Sequence, residues 1–260
     1  MSQIAFFGFI AHGHTNPTLG VVRELTARGH HVRCYSFEPF RDTITAAGAE
    51  FIPCDAFLPP QPAPSAAARL GKDLAFSTQL LVDTTLALDG SLLADLQACR
   101  PDCIVADSMA LWGKAAALKL GIPFVCSTTT CAFNKYAAKA LGHQSSGLFS
   151  LLRAMPKVQK QLKRLQNAGY PIKNILDILQ NDDSVPTVVY TSPEFQPCSE
   201  TFSENTVFVG PSVRPAGSGF HKTRDTLVYL SMGTVNNRLL PLYKSCIAAF
   251  GQTDYQVAKL

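Results

Sequence analysis

The sequence has no run approaching the roughly 20 consecutive apolar residues that a membrane-spanning helix needs, and no basic stretch ahead of an apolar one at its start. A span and a secretory leader are both excluded as expectations, and a soluble, cytoplasmic protein is the reading that remains. Nor is there an excess of charge of either sign. The 23 Lys and Arg against 19 Asp and Glu give a net charge of only +4, which argues against nucleic acid as a partner. Lys157, Lys160, Lys163 and Arg164 alone are grouped, about one helical turn apart, and read as a solvated helix face. No C-x-x-C pair occurs among the 8 cysteines, most of which sit in apolar runs, so reduced buried thiols are expected rather than a redox or metal motif. A G-x-G-x-x-G triplet is missing too, which removes the dinucleotide fingerprint.

What is present centres on residues 4–32. Positions 4–10 form an apolar run of strand length, suited to a parallel strand covered on both faces. Residues 11–16 break that run with two histidines, a glycine, a threonine and an asparagine. Asn16 is the expected N-cap and Pro17 the first helical residue. Leu19, Val22, Leu25 and Thr26 then recur at helical spacing, and Gly29 closes the helix in a left-handed conformation. The loop therefore falls at the carboxyl end of a strand, where open α/β sheets bind ligands.

Strand and helix patterns alternate from there on, as in an α/β fold with a mostly parallel sheet flanked by helices. Strands are expected at 31–37, 50–54, 101–107, 123–127, 187–191 and 206–209. Helices are expected at 39–47, 71–99, 111–120, 148–167 and 172–180. Residues 57–65 are too proline-rich for regular structure and read as a mobile loop. Glycine, proline and charge mark 210–225 as a linker between domains. The strand-then-helix logic restarts at 226–232, 239–250 and 255–260, one and a half such units, which is too little to close a second core. The domains are thus 1–209, a linker at 210–225, and 226–260 as the incomplete start of another.

Three chemistries could be claimed for the first loop. Gly8 to Thr15 has the spacing of a phosphate-binding P-loop, but His14 stands where the lysine belongs. His12 and His14 are two residues apart with no carboxylate or thiolate nearby, a poor metal pattern. General-base chemistry suits His14 better, because imidazole titrates near neutrality and a carboxylate can fix its tautomer. Asp107 ends the fourth strand, on the same sheet edge as the end of the first, so the two can converge. Equally, Asp107 can cap the helix that follows. For His12 the expected role is packing or capping.

At these residues the chain resembles a family. AHGHTNPTLGVVRELTARGHHV, PDCIVADSMALWGKAAALKLGIP, residues 195–212 and LVYLSMGTVNN followed by FG look like bacterial macrolide-type, UDP-sugar-dependent glycosyltransferases of the GT-B fold. The resemblance implies two Rossmann-like domains, an apolar small-molecule acceptor (macrolide, flavonoid or sterol-like) on the first, and the UDP-sugar co-substrate on the second. It implies inverting transfer with no metal and no other cofactor. His14 matches the family's base and Asp107 its partner. Ile10, Met109, Trp112, Thr129 and Phe133 match the acceptor wall, and Ser231, Gly233 and Thr234 the turn that approaches the nucleotide. The family's H-G-G turn and the acidic–amide pair for the sugar are absent after that turn. A C-terminally truncated chain, inactive alone and prone to self-association through its last strands, is the resulting expectation. The alternative is a non-catalytic binding module or relic derived from the acceptor domain.

Overall fold

A computed structural model describes residues 1–55, 73–140, 146–174, 176–179, 184–213, 221–233 and 239–259. The proline-rich 57–65 segment, residues 214–220 of the linker and Thr234 lie outside the described residues. The chain divides into two compact units, Met1–Val213 and Arg214–Leu260.

The first unit is a seven-stranded sheet in the order β3-β2-β1-β4-β5-β6-β7, with every neighbouring pair parallel. Its strands are β1 Gln3–Phe7, β2 His31–Ser36, β3 Glu50–Pro53, β4 Cys103–Asp107, β5 Phe124–Thr128, β6 Thr187–Val189 and β7 Thr206–Phe208. Its helices are α1 His12–Ala27, α2 Arg41–Thr45, α3 Leu74–Cys99, α4 Leu111–Leu120, α5 Lys135–Ala140, α6 Ser146–Asn167 and α7 Leu176–Leu179. Parallel strands buried on both faces explain why β1 and β4 read as near-continuous apolar runs: Ile4, Ala5, Phe6, Phe7, Ile104 and Ala106 are all buried. On α3, Leu81, Leu88, Leu92 and Leu96 are buried and form its inward stripe. Asp73 caps this helix by accepting the Phe76 N–H at 3.0 Å.

The floor of the sheet's central edge depends on one small residue. A Cβ on Gly113 of α4 would stand 2.7 Å from both Phe7 Cγ and Ala106 Cβ, so the helix reaches the sheet only because glycine is there. Lys157, Lys160, Lys163 and Arg164 are exposed on α6. None of the cysteines is exposed, and burial pushes the Cys34 and Cys54 thiols up to about 12, where they are inert at neutral pH.

One boundary differs from the sequence reading in a way that matters. Asn16 is not the N-cap. Helix α1 starts at His12 with Ala11 as a cap of extended backbone, and Pro17 lies inside it. The Ala11 carbonyl accepts the N–H groups of both His14 and Thr15, at 3.0 and 2.9 Å, and the Thr15 hydroxyl donates to the Phe9 carbonyl at 3.2 Å. These bonds form the first turn without a side-chain cap, and Pro17 only forgoes the bond it would have given Gly13. At the other end Gly29 has φ of +82° and donates to the Thr26 carbonyl at 2.9 Å, as expected.

The second unit is a parallel pair, β8 Leu227–Leu230 and β9 Gln256–Lys259, joined by helix α8 Leu240–Phe250. This is one βαβ repeat. Within α8, Tyr243 is buried while Leu240, Leu242 and Ile247 are exposed.

Candidate active site

The site lies at the carboxyl edge of the first unit's sheet, where β1, β4 and β5 end side by side. Because β1 pairs with β4 and β4 with β5, with Asp107 in register with Ser127, three chain ends arrive at one level. The first turn of α1 brings in His14, the last residue of β4 is Asp107, and Thr129 follows β5.

His14 Nδ1 is 2.9 Å from Asp107 Oδ1 and 3.0 Å from Oδ2. The Asp107 side chain is wholly buried and that of His14 is 19 % exposed. A buried carboxylate can only accept, so it fixes the hydrogen on Nδ1 and leaves Nε2 with its lone pair. Among the described residues Nε2 has no hydrogen-bond partner. Asp107 also accepts the Met109 N–H on Oδ1 at 2.8 Å, and its carbonyl accepts the Ala110 N–H. Of the two roles that spacing left open for Asp107, the structure shows the contact with the histidine but not the helix cap: the N-cap of α4 is Ala110, without a side-chain cap bond, and Asp107 instead organises the turn ahead of that helix.

Thr129 joins this pair. Its Oγ1 is 3.0 Å from His14 Nδ1 and donates to Asp107 Oδ2 at 3.4 Å. Phe9 stands edge-on to the His14 ring, with centroids 5.2 Å apart, and stacks at 6.1 Å on Trp112, which in turn meets Phe37 edge-on. Trp112 is only 2 % exposed, so it backs Phe9 from within the core, and its buried Nε1 has no hydrogen-bond partner among the described residues. Ile10 and Met109 are half-buried against the same core. Phe133 is 47 % exposed on the loop after β5. His12 is exposed and packs edge-on against Phe40 at 5.0 Å, which fits the packing role expected of it.

Three further residues shape the site without having stood out in the sequence. Gln196, itself buried, accepts the Ala132 N–H at 2.8 Å and donates to the Ala132 carbonyl at 3.0 Å, clamping the loop that carries Thr129. Asn134 caps α5 and donates to Thr201 Oγ1 at 2.8 Å, tying the same loop a second time. Below, the Tyr190 hydroxyl and Ser127 are hydrogen-bonded at 3.1 Å in the interior. Burial, opposed by the Ser127 bond and reinforced by the Asp107 charge, pushes the Tyr190 phenol up to about 12. Neither glutamine nor asparagine in a loop has a local signature that marks such a clamp.

The Ser231 and Gly233 turn belongs to the second unit. Both residues are exposed, Gly233 has φ of +68°, and its N–H donates to Ser231 Oγ at 3.3 Å. No group of three or more His, Cys, Asp or Glu able to hold a metal occurs among the described residues. Among the described residues no helix is long and apolar enough to cross a membrane.

No protein-family model matches the chain. It is 28% identical, over 99% of its length and 65% of the relative's, to a Bacillus subtilis protein named uncharacterized UDP-glucosyltransferase YojK. It is 30% identical, over 99% of its length and 58% of the relative's, to demethyllactenocin mycarosyltransferase of Streptomyces fradiae. Among solved structures, the calicheamicin glycosyltransferase CalG4 superposes with a TM-score of 0.71 at 26% identity, with all of this chain and 65% of that one covered. The glycosyltransferase of kitacinnamycin gives a TM-score of 0.77 at 22% identity over 99% of this chain and 65% of that one, a likeness of fold. The chain thus spans less than two thirds of the length of these relatives.

Proposed function

We propose that this chain, a homologue of macrolide-type glycosyltransferases of the GT-B fold, carries the acceptor site and general base of an inverting sugar transfer from a UDP-sugar to a hydroxyl of an apolar small molecule. In this reading residues 1–209 hold the acceptor, 210–225 link, and 226–260 begin the nucleotide-sugar side. The observation that carries it is the His14–Asp107 pair: Nδ1 held at 2.9 and 3.0 Å by a buried carboxylate, with Nε2 unpartnered among the described residues.

The chemistry follows from that geometry. Nε2 takes the proton of the acceptor hydroxyl as its oxygen attacks the anomeric carbon. The bond from that carbon to the diphosphate oxygen breaks, UDP leaves with the electron pair, and a single displacement inverts the configuration. Asp107 stabilises the imidazolium so formed and keeps the ring in the productive tautomer. The apolar rims supplied by Ile10, Met109 and Phe133 suit a greasy acceptor, with Phe9 and Trp112 behind. On the donor side, Gly233 permits close backbone approach of a diphosphate, and Ser231 and Thr234 supply hydroxyls.

The test is a chimera in which residues 1–225 are followed by the donor half of a related UDP-glucose-using transferase, assayed with flavonoid and macrolide acceptors. Transfer by the parent chimera, and its loss in His14→Ala with acceptor affinity retained, is the expected result. Near-normal turnover of His14→Ala would overturn the base assignment. Tight acceptor binding with no transfer by any chimera would favour a binding module instead.

A further inference from the structure

We propose that Thr129 is a positioning residue for the His14–Asp107 pair and not part of the wall that holds the acceptor, an inference that rests on the base chemistry proposed for His14. With both Asp107 oxygens at 2.9 and 3.0 Å from Nδ1, the hydrogen must sit on that nitrogen. The Thr129 hydroxyl, 3.0 Å from the same nitrogen, therefore meets it with an oxygen lone pair and turns its own hydrogen to Asp107 Oδ2 at 3.4 Å. The three groups close a triangle: Nδ1–H is shared between a carboxylate and a hydroxyl, and the hydroxyl donates back to the carboxylate.

Each side of the triangle does something the pair alone cannot do. A ring held by a single carboxylate can still swing about its Cβ–Cγ bond, whereas a second acceptor out of line with the first fixes the plane and so the direction of Nε2. On the buried carboxylate, Oδ1 has the Met109 N–H as a donor besides His14. Among the described residues Oδ2 has only His14 and the Thr129 hydroxyl. Removing that hydroxyl leaves a desolvated anionic oxygen one donor short.

The surroundings of Thr129 fit this role. β5 ends at Thr128, one residue past the Ser127 level that faces Asp107, so Thr129 leaves the sheet next to the carboxylate. The loop that follows is closed by both Gln196 bonds to Ala132 and by the Asn134 bond to Thr201. A wall that adapts to varied acceptors gains nothing from such clamping, but a hydroxyl that must hold a ring nitrogen within hydrogen-bond range does.

The decisive measurement is ring-nitrogen NMR of the 260-residue chain, with the His14 signals identified by their loss in His14→Gln. Thr129→Val keeps the shape and deletes the hydroxyl, Thr129→Ser keeps the hydroxyl, and backbone amide spectra confirm that both variants are folded. In Thr129→Val the Nδ1–H signal is expected to shift and its exchange with water to rise roughly fivefold to tenfold, the equivalent of one net hydrogen bond, while Thr129→Ser stays close to the parent. An unchanged Nδ1–H in folded Thr129→Val would overturn the proposal. In a transferring chimera Thr129→Val should also lower kcat roughly tenfold with acceptor KM within about twofold, and Thr129→Ser should restore kcat. A raised KM with unchanged kcat would overturn the proposal and return Thr129 to the acceptor wall. Should no chimera transfer sugar, the functional reading fails, and the NMR result still decides the role of Thr129.

Discussion

The edge of the first unit's sheet and the Ser231–Gly233 turn of the second are both loops after parallel strands, yet they differ in kind. At the first, three side chains from three chain segments are mutually hydrogen-bonded around a buried carboxylate. At the second, two exposed residues share one long bond of 3.3 Å from backbone to hydroxyl. Proton transfer needs its groups placed before substrate arrives, and burial makes a fixed carboxylate felt. A turn that presents backbone amides to a diphosphate needs little beyond a glycine and access. The contrast teaches that one unit by itself can hold a preorganised histidine–carboxylate pair, whereas the turn of the other presents an open backbone with little fixed around it.

Breaking the pair itself should have the largest effect. In a transferring chimera His14→Ala is expected to lower kcat by roughly 10²–10⁴-fold, the usual share of a general base, with acceptor affinity measured by calorimetry almost unchanged. Asp107→Asn should be similarly slow, because the amide no longer stabilises the imidazolium. An unaltered circular dichroism spectrum distinguishes this from a folding defect.

Next comes the floor under the pair. Gly113→Ala inserts a Cβ 2.7 Å from Phe7 and Ala106, neither of which has a flexible end that can move away. Overpacking of this kind costs about 1–3 kcal/mol, to be read as a lower urea midpoint. Since α4 follows directly on Asp107, the same variant should also slow transfer, while Gly90→Ala, with open space around the new Cβ, should do neither.

The pair was legible because sheet topology does the work: once β1 and β4 are recognised as neighbouring parallel strands, His14 and Asp107 must share an edge. The helix end with glycine at its left-handed position, Gly29, was equally legible. Asn16 and Pro17 misled, because backbone bonds to the Ala11 carbonyl start α1 without the side-chain cap that the local pattern advertised. Thr129 was placed near the acceptor by resemblance, but its bonds to His14 and Asp107 depend on a loop path set by Gln196 and Asn134, which lie far apart in sequence. Such cross-loop side-chain bonds leave no periodicity to read. Of the residues that resemblance matched to an acceptor wall, Trp112 proves to be buried behind Phe9.

Alkali should separate the units more gently. Burial raises the Cys34, Cys54 and Tyr190 groups to about 12, above the ordinary 9 to 10 of the unfolded chain. A raised folded value means that the stabilisation is fully present below the unfolded value and is lost as the pH rises through the window up to about 12. Each group can contribute a slope of up to about 1.4 kcal/mol per pH unit there. All three belong to the first unit. Urea midpoints measured between about pH 8 and about pH 10.5 should therefore fall for that unit, and Cys34→Ala or Tyr190→Phe should each flatten the slope by one group's share.

The smallest effect expected is at the exposed turn. Among the described residues the Ser231 hydroxyl has a single hydrogen bond, from the Gly233 N–H at 3.3 Å, so Ser231→Ala should change the unfolding free energy by less than about 0.5 kcal/mol. Its consequence for binding follows from the same sparseness. Fixing a nucleotide-sugar requires several oriented donors on the diphosphate and partners for the sugar hydroxyls, and orientation is where much of the barrier to a bimolecular step is removed. In residues 226–260 the resemblance assigns only Ser231, Gly233 and Thr234 to that task. Calorimetry of the 260-residue chain with UDP-glucose should accordingly show no saturable heat in the micromolar range, with or without Ser231→Ala, and no sugar transfer. Micromolar affinity that disappears in Ser231→Ala would show instead that this single turn holds the donor, and the difference drawn between the two edges would collapse.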